Sequence, residues 1–470
     1  MRARRIATLA TCLFALTACE TMGPPLTPPA PPPVAPVPVV TAAPPPVSAP
    51  ADLAPVTEGD VTVARVSGVD VLVKRIPGAD FASLQLYIRG GARDWSAADA
   101  GIERLALATA TSGGTEALDK DAFARRLAAL GSEIGSESRP DFSAIRAKSL
   151  ASKWDETFGL LADTFLHPAL PAAELELERQ RQLSSLRHEQ DNPDALLGLR
   201  VQEAFYRGHP FANRTIGTAE SVQKIDLDAI KAHLARIRET SRLLFVTAGD
   251  VDPAHVLEQV RASFGTLPRG AYQGAPFPAV AFDRPSLTVS EKKLATNYIQ
   301  GTFPAPRWSD ADSPAAMVAM SLLRFRLFEE VRTKRNLSYA PGAGLRNGST
   351  VPTGYLYVTA VDPNTTFKVM LDEARRLQNE PISAKDLAGT KATFLTSYLM
   401  GSESTDGQAG MLAEAALLGG DWKLARTLPE RIRAVTPADV QAYAKKYLGR
   451  LQMVVIGDPS KIDRGLFESL

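Results

Sequence analysis

The sequence predicts a mixed fold of strands and helices built twice in tandem, and three observations carry that prediction. From about residue 60 onward, strand-like and helix-like segments alternate without a low-complexity break. Residues 243–250 (LLFVTAGD) reappear as 452–458 (QMVVIGD), so that Gly249-Asp250 and Gly457-Asp458 occupy matching places. A Pro- and Gly-rich stretch, 268–285, lies between the copies and reads as the hinge. A repeat this long is a duplicated domain rather than a solenoid.

The elements follow in order. Residues 69–75 (VDVLVKR) and 81–89 (FASLQLYIR) read as adjacent strands separated by a Pro77-Gly78 turn. Helical patterns follow at 99–111, 119–130 and 150–166. In the last of these Trp154, Phe158, Leu161 and Phe165 recur at helical spacing and read as core. Residues 219–239 read as one further helix ahead of a strand at 242–248. The repeated strands each follow a helix with an acidic start, Asp226-Leu227-Asp228-Ala229-Ile230 in the first copy and Thr436-Pro437-Ala438-Asp439-Val440 in the second.

The N-terminus has the pattern of a bacterial lipoprotein signal. Arg2, Arg4 and Arg5 precede an apolar run, 6–16, and Leu16-Thr17-Ala18-Cys19 resembles a lipobox with Cys19 as the lipidated residue. The run is too short to span ~30 Å of hydrocarbon. Residues 1–19 are thus expected to be a signal peptide ending at the lipobox cysteine, and 20–60 a Pro-rich disordered stalk. Fourteen of the 35 prolines fall between 23 and 58, where polyproline geometry makes a semi-rigid spacer. The expected address is the bacterial envelope, lipid-anchored and facing the periplasm, with Glu20 after the cysteine favouring the outer membrane. The other of the two cysteines, Cys12, lies in the expected signal, which leaves no disulfide or thiolate metal site beyond Cys19. A net charge of +1 gives no electrostatic case for nucleic acid.

Residues 101–115, GIERLALATATSGGT, carry a family resemblance. A Gly-Ile opening, an apolar helix and a closing Gly-Thr resemble the zinc helix of the insulinase/pitrilysin/mitochondrial-processing-peptidase family, whose active members carry His-x-x-Glu-His there. Counted from Gly101, the first histidine falls on Arg104, the glutamate on Leu107 and the second histidine on Ala108. The third ligand of the family, a glutamate seven positions after the Glu of a Glu-Arg pair, falls on Ser185, counted from Glu178-Arg179. Zinc needs two neutral imidazoles one turn apart on one helix face and a carboxylate to activate the bound water. The resemblance therefore implies a degenerate zinc site with no metal on this chain. One residue is extra near Gly113-Gly114. Two tandem α+β domains are implied, residues 61–270 and 271–470, each an antiparallel sheet with helices on one face.

Further segments match. Residues 206–211 with Ile216-Gly217-Thr218 resemble the family's Tyr-x-x-His-Pro-Tyr and Ile-Gly-Thr loop, with Phe211 for the tyrosine and His209 as a turn residue. His188-Glu189 lacks a second histidine and reads as a solvated helix face, while His167, His233 and His255 are isolated by spacing. Residues 322–344 (LLRFRLFEEVRTKRNLSYAPGAG) resemble the segment in which a helix ends in Arg and a basic turn leads to Leu-x-Tyr at a strand start. The matching residues are Arg332 and Tyr339, which in the family bind the substrate backbone and stabilise the oxyanion. A helix C-terminus with favourable basic residues is the plainer alternative.

Lost ligands with retained Arg and Tyr resemble the zinc-less subunit of two-chain members. The expected function is the non-catalytic, substrate-binding subunit of a heteromeric zinc peptidase acting on unfolded peptides, with zinc on an insulinase-family partner. Substrate would enter a chamber between the halves and pair along a sheet edge. The alternatives are a non-proteolytic binding or scaffolding lipoprotein and, with less support, a self-sufficient metalloendopeptidase.

Overall fold

The computed structural model describes residues 51–274, 276 and 279–469; Cys19 and most of the expected stalk lie outside these. The first half runs β1 (Leu53–Glu58), β2 (Val61–Val66), β3 (Val69–Arg75), β4 (Phe81–Arg89), α1 (Ile102–Ser112), α2 (Lys120–Leu130), β5 (Glu133–Ser138), β6 (Phe142–Leu150), α3 (Trp154–Leu166), α4 (Ala172–Asp191), α5 (Pro193–Phe205), α6 (Ala219–Lys224), α7 (Leu227–Ile237), β7 (Leu243–Gly249) and α8 (Pro253–Ala262). The second runs β8 (Ser286–Glu291), β9 (Asn297–Pro304), α9 (Ser313–Leu327), β10 (Gly342–Arg346), β11 (Thr353–Ala360), α10 (Pro363–Asn379), α11 (Ala384–Gly401), α12 (Thr405–Gly419), α13 (Lys423–Ala434), α14 (Pro437–Tyr447), β12 (Gln452–Gly457) and α15 (Arg464–Phe467). Among the described residues no helix is long and apolar enough to cross a membrane.

The duplication is plain in the sheets. The first has the order β1-β2-β3-β7-β4-β6-β5 and the second β10-β11-β9-β12-β8. Read from β3 and from β8, the two orders are the same, with the β1-β2 hairpin added to the first. In each sheet the repeated strand is central: β7 runs parallel to β3 and antiparallel to β4, and β12 parallel to β8 and antiparallel to β9. The sheets are thus antiparallel except for one pair each. The expectation that β3 and β4 are neighbours is corrected, because β7 lies between them. A turn at Pro77-Gly78 signals that one strand ends and another begins, not that the two pair.

Both faces of the central strands are buried, for a reason that lies in the opposite half. Leu243 and Phe245 face the core formed with α1, α3, α7 and α8, whereas Leu244, Val246 and Ala248 face α12 through Ala409, Leu412 and Ala413. In the second sheet Met453 and Val455 face the core with α9, α10 and α14, and Val454 and Ile456 face α5 through Leu196, Leu197, Leu199 and Val201. Each half therefore lends one helix to the other's sheet, in equivalent places. Each sheet carries its own half's helices on one face, as expected, and the lent helix fills the other, which explains why the repeated strands read as unbroken apolar runs. Polar contacts fasten the exchange. Asp406 at the start of α12 accepts from Ser83 Oγ at 3.1 Å and Gln85 Nε2 at 2.9 Å, both on β4. Tyr357 Oη on β11 donates to Asp194 on α5 at 2.5 Å.

Two boundaries shift. The folded chain begins inside the segment expected to be a stalk up to residue 60: β1 pairs with β2 with an irregularity between Leu53 and Val56, where Pro55 sits. An edge strand tolerates such a proline because its missing N–H faces away from the ladder. Asp52 accepts from the Ser67 and Gly68 N–H groups, closing the β2-β3 turn. The single helix expected at 219–239 is two, α6 and α7. Ile225 is extended and the Asp226 side chain accepts from Ala229 N–H at 2.8 Å, starting a new helix. The aromatic stripe of α3 is core as expected; Trp154 stacks on Phe158 at 4.9 Å.

Candidate functional site

Helix α1 is held in place by its neighbours' backbones. Gly101 has φ +93°, and a Cβ there would stand 2.8 Å from Gln182 Nε2 and 3.0 Å from the Ile216 carbonyl. Gly217 has φ +77°, and its Cβ would stand 2.4 Å from the Ala100 carbonyl. Gly101 and the Ile216-Gly217-Thr218 loop thus meet in space, and only glycine allows both the backbone angle and the approach. Gln182, buried on α4, donates to both Gly101 and Ile216 carbonyls, tying the three segments together. The sequence reading missed Gln182; a glutamine within an otherwise charged helix gives no sign of this role.

This frame gathers all three degenerate ligand positions, with the catalytic-glutamate position set apart. Arg104, Ala108 and Ser185 line one pocket of about 340 Å³ with Gln182, Glu178 and Arg181 of α4 and Ser136, Glu137 and Ser138 of β5. Leu107 turns the other way, into the core. The residues present do not fit zinc. A guanidinium repels a cation, a methyl group and a leucine side chain offer no lone pair, and a lone serine hydroxyl is a poor ligand. Among the described residues no group of three or more His, Cys, Asp or Glu could hold a metal ion.

The histidines that spacing isolates each find a partner in space. His233 Nε2 meets Glu103 at 3.1 Å, both buried, while Arg236 donates to His233 Nδ1 at 2.9 Å. An arginine donor on Nδ1 leaves the proton on Nε2, so Glu103 accepts it. His255 pairs with Asp155 at 2.5 Å and His167 lies 3.9 Å from Glu116. His209 Nδ1 accepts from Phe211 N–H at 3.1 Å in a buried turn, the structural role expected of it.

Arg332 and Tyr339 do come together, in the second half. The α-helix α9 widens into a π-helical segment, Phe328–Thr333, in which Lys334 N–H donates to the Glu329 carbonyl. Such segments occur often at functional sites. The Arg332 guanidinium lies 4.0 Å from the Tyr339 ring centroid and 4.8 Å from that of Phe328, so two aromatic faces sandwich it. Tyr339 is 77% exposed. It stands in the turn ahead of β10 rather than at the strand start as expected, because β10 begins only at Gly342. Phe328 was not anticipated; its signal is its place one helical turn before Arg332.

The neighbouring bases are spoken for, and Arg332 is not. Glu330 accepts from Lys334 at 2.7 Å and from Arg335 at 2.5 Å, and these hydrogen bonds hold its carboxyl below the usual range. Arg332 forms no ion pair among the described residues. By topology α9 occupies in the second half the place that α1 has in the first, each between the second strand of its repeat and the sheet-edge strand, β5 or β10.

A duplicated sheet-and-helix unit with an altered zinc helix in its first copy defines a peptidase-type scaffold. The insulinase (peptidase family M16) model matches residues 70–219 and the peptidase M16 inactive-domain model residues 224–394. The chain belongs to the insulinase family, M16. It is 24% identical to an uncharacterized zinc protease of Mycobacterium tuberculosis over 420 residues, 86% of this chain and 94% of that one. It is 21% identical to the non-peptidase homolog YmxG of Helicobacter pylori over 396 residues, 80% and 89% of the two chains. Among solved structures, the peptidase M16 inactive domain from Pseudomonas fluorescens aligns with a TM-score of 0.78 at 20% identity, over 85% of this chain and 98% of that one. A protease from Helicobacter pylori aligns at 0.74 and 17%, over 83% and 97%. At these identities the structural likenesses establish the fold.

Proposed function

We propose that this chain is the zinc-less, substrate-handling subunit of a two-chain insulinase-family peptidase that acts on unfolded peptides in the bacterial envelope. The observation that carries the reading is the uncompensated Arg332 held between Phe328 and Tyr339. A guanidinium and a phenol offered to solvent at one turn are directional donors for a peptide carbonyl as it gains charge. The donor set at Arg104, Leu107, Ala108 and Ser185 supports assigning zinc to a partner of the same family. The packing of α12 on the first sheet and of α5 on the second supports a substrate chamber formed with the partner rather than within this chain. Cys19 would anchor the chain to the membrane, with the Pro-rich segment as spacer.

The test is reconstitution with an insulinase-family chain that carries an intact His-x-x-Glu-His. Neither chain alone should hydrolyse an unfolded peptide, and the mixture should. Equal activity of the zinc-bearing chain with and without this one would overturn the reading and leave a non-proteolytic binding role, which the name of the Helicobacter pylori relative favours.

A further inference from the structure

The pocket at the vacated metal position has a charge of its own. Arg104 is the exposed residue of α1, whose others are buried or half-buried, and it forms no ion pair or hydrogen bond among the described residues. The carboxylates beside it are already matched: Glu178 to Arg181 at 2.5 Å, and Glu137 to Arg146 at 2.5 Å and Arg139 at 3.3 Å. What remains is one guanidinium over a hollow that the small side chain of Ala108 leaves open, with the hydroxyls of Ser136, Ser138 and Ser185 around it.

The hollow adjoins an open sheet edge. Strand β5 pairs with β6 alone. The outward N–H and C=O groups of Glu133–Ser138 have no backbone partner among the described residues. Such an edge accepts an extended peptide by adding it as a strand. Helices α1 and α4 and strand β5 together line the pocket, so the end of a chain laid along β5 reaches Arg104 within it. A planar guanidinium matches a carboxylate in two parallel hydrogen bonds, stronger in a partly enclosed site than in open water.

We infer that the vacated metal pocket is a receptor for the C-terminal carboxylate of an extended peptide lying along β5, with Arg104 as the binding fork. Substitution at the ligand positions has turned a site suited to a cation into one suited to an anion. This binding is independent of any partner's zinc and holds for a peptidase subunit or for a scaffold.

The experiment is fluorescence anisotropy on the full chain. The probes are a short labelled peptide of alternating valine and serine in three forms: free acid, C-terminal amide, and amide with one internal glutamate. The free acid is expected to bind about ten-fold or more tightly than either amide, the value of a charge-assisted hydrogen-bonded pair. Arg104→Gln should erase that preference. Ser185→Glu, which sets a competing carboxylate inside the pocket, should weaken the free acid selectively. Both positions are exposed, so neither change disturbs the core, and circular dichroism checks the fold. Equal binding of acid and amide, a preference that survives Arg104→Gln, no binding of any form, or an internal glutamate as good as the free end would each overturn the inference.

Discussion

Three basic residues follow one another closely at the end of α9, and what holds them differs. Lys334 and Arg335 share Glu330, whereas Arg332 is held only by ring faces. Cation–π contact leaves the N–H edges of a guanidinium free to donate. Arg332→Ala is therefore expected to lower turnover of the reconstituted peptidase by about 10²–10³, the usual effect of deleting one oxyanion donor, with little change in subunit affinity. Tyr339→Phe keeps the ring and removes the hydroxyl, and should lower turnover while leaving the cation in place. Peptide hydrolysis measured alongside subunit affinity checks both. Full activity in both variants would assign the pair to packing. A second residue-scale prediction concerns Glu414 on α12. Burial pushes its carboxyl up, against the opposing pull of Arg139 and Arg146 and with a further push from Glu137. A carboxyl raised on folding contributes stability fully present below its unfolded value, about 4.3, and lost as pH rises through the folded value. Glu414→Gln should thus flatten the fall in stability over that window, as read from urea midpoints at a series of pH values. An unchanged slope would place the titration elsewhere.

At the scale of elements, the helix exchange is what ties the two halves together. Asp406 caps a buried polar pair on β4, Ser83 and Gln85, so Asp406→Ala leaves those groups short of a partner at the seam between the halves. The expected cost is about 1–3 kcal/mol, measurable by denaturant unfolding. Leu412→Ala, in the same helix, should cost about 2–5 kcal/mol through the cavity it leaves. Much of this layer was legible in the sequence in an indirect form. The unbroken apolar runs of β7 and β12 signal burial on both faces, but a single sequence does not say what buries the second face. For the same reason β3 and β4 looked like neighbours: local turn chemistry is written in adjacent residues, while the insertion of β7 between them depends on contacts far along the chain. The zinc-helix frame was legible because Gly101 and Gly217 must be glycine wherever those backbones touch. Phe328, Gln182 and the Glu103–His233 pair were not, because nothing in their spacing distinguishes them from ordinary core or helix-face residues.

At the scale of the whole molecule, the metal prediction is direct. The purified chain is expected to bind no stoichiometric zinc, since the groups at the ligand positions cannot coordinate it; one tightly held zinc per chain in elemental analysis would contradict this. Cys19→Ser is expected to release the protein from the membrane fraction or leave an unprocessed precursor, and unchanged fractionation with unchanged N-terminal mass would remove the lipid anchor from the account. The reciprocal loan of α5 and α12 has one more consequence. Neither half carries all of the surface that completes its own sheet, so a protease cut within the linker, 268–285, would not yield two domains. The severed pieces should stay together through native purification, melt in one step, and part only in denaturant, behaving as a dimer of fragments that were never separate proteins.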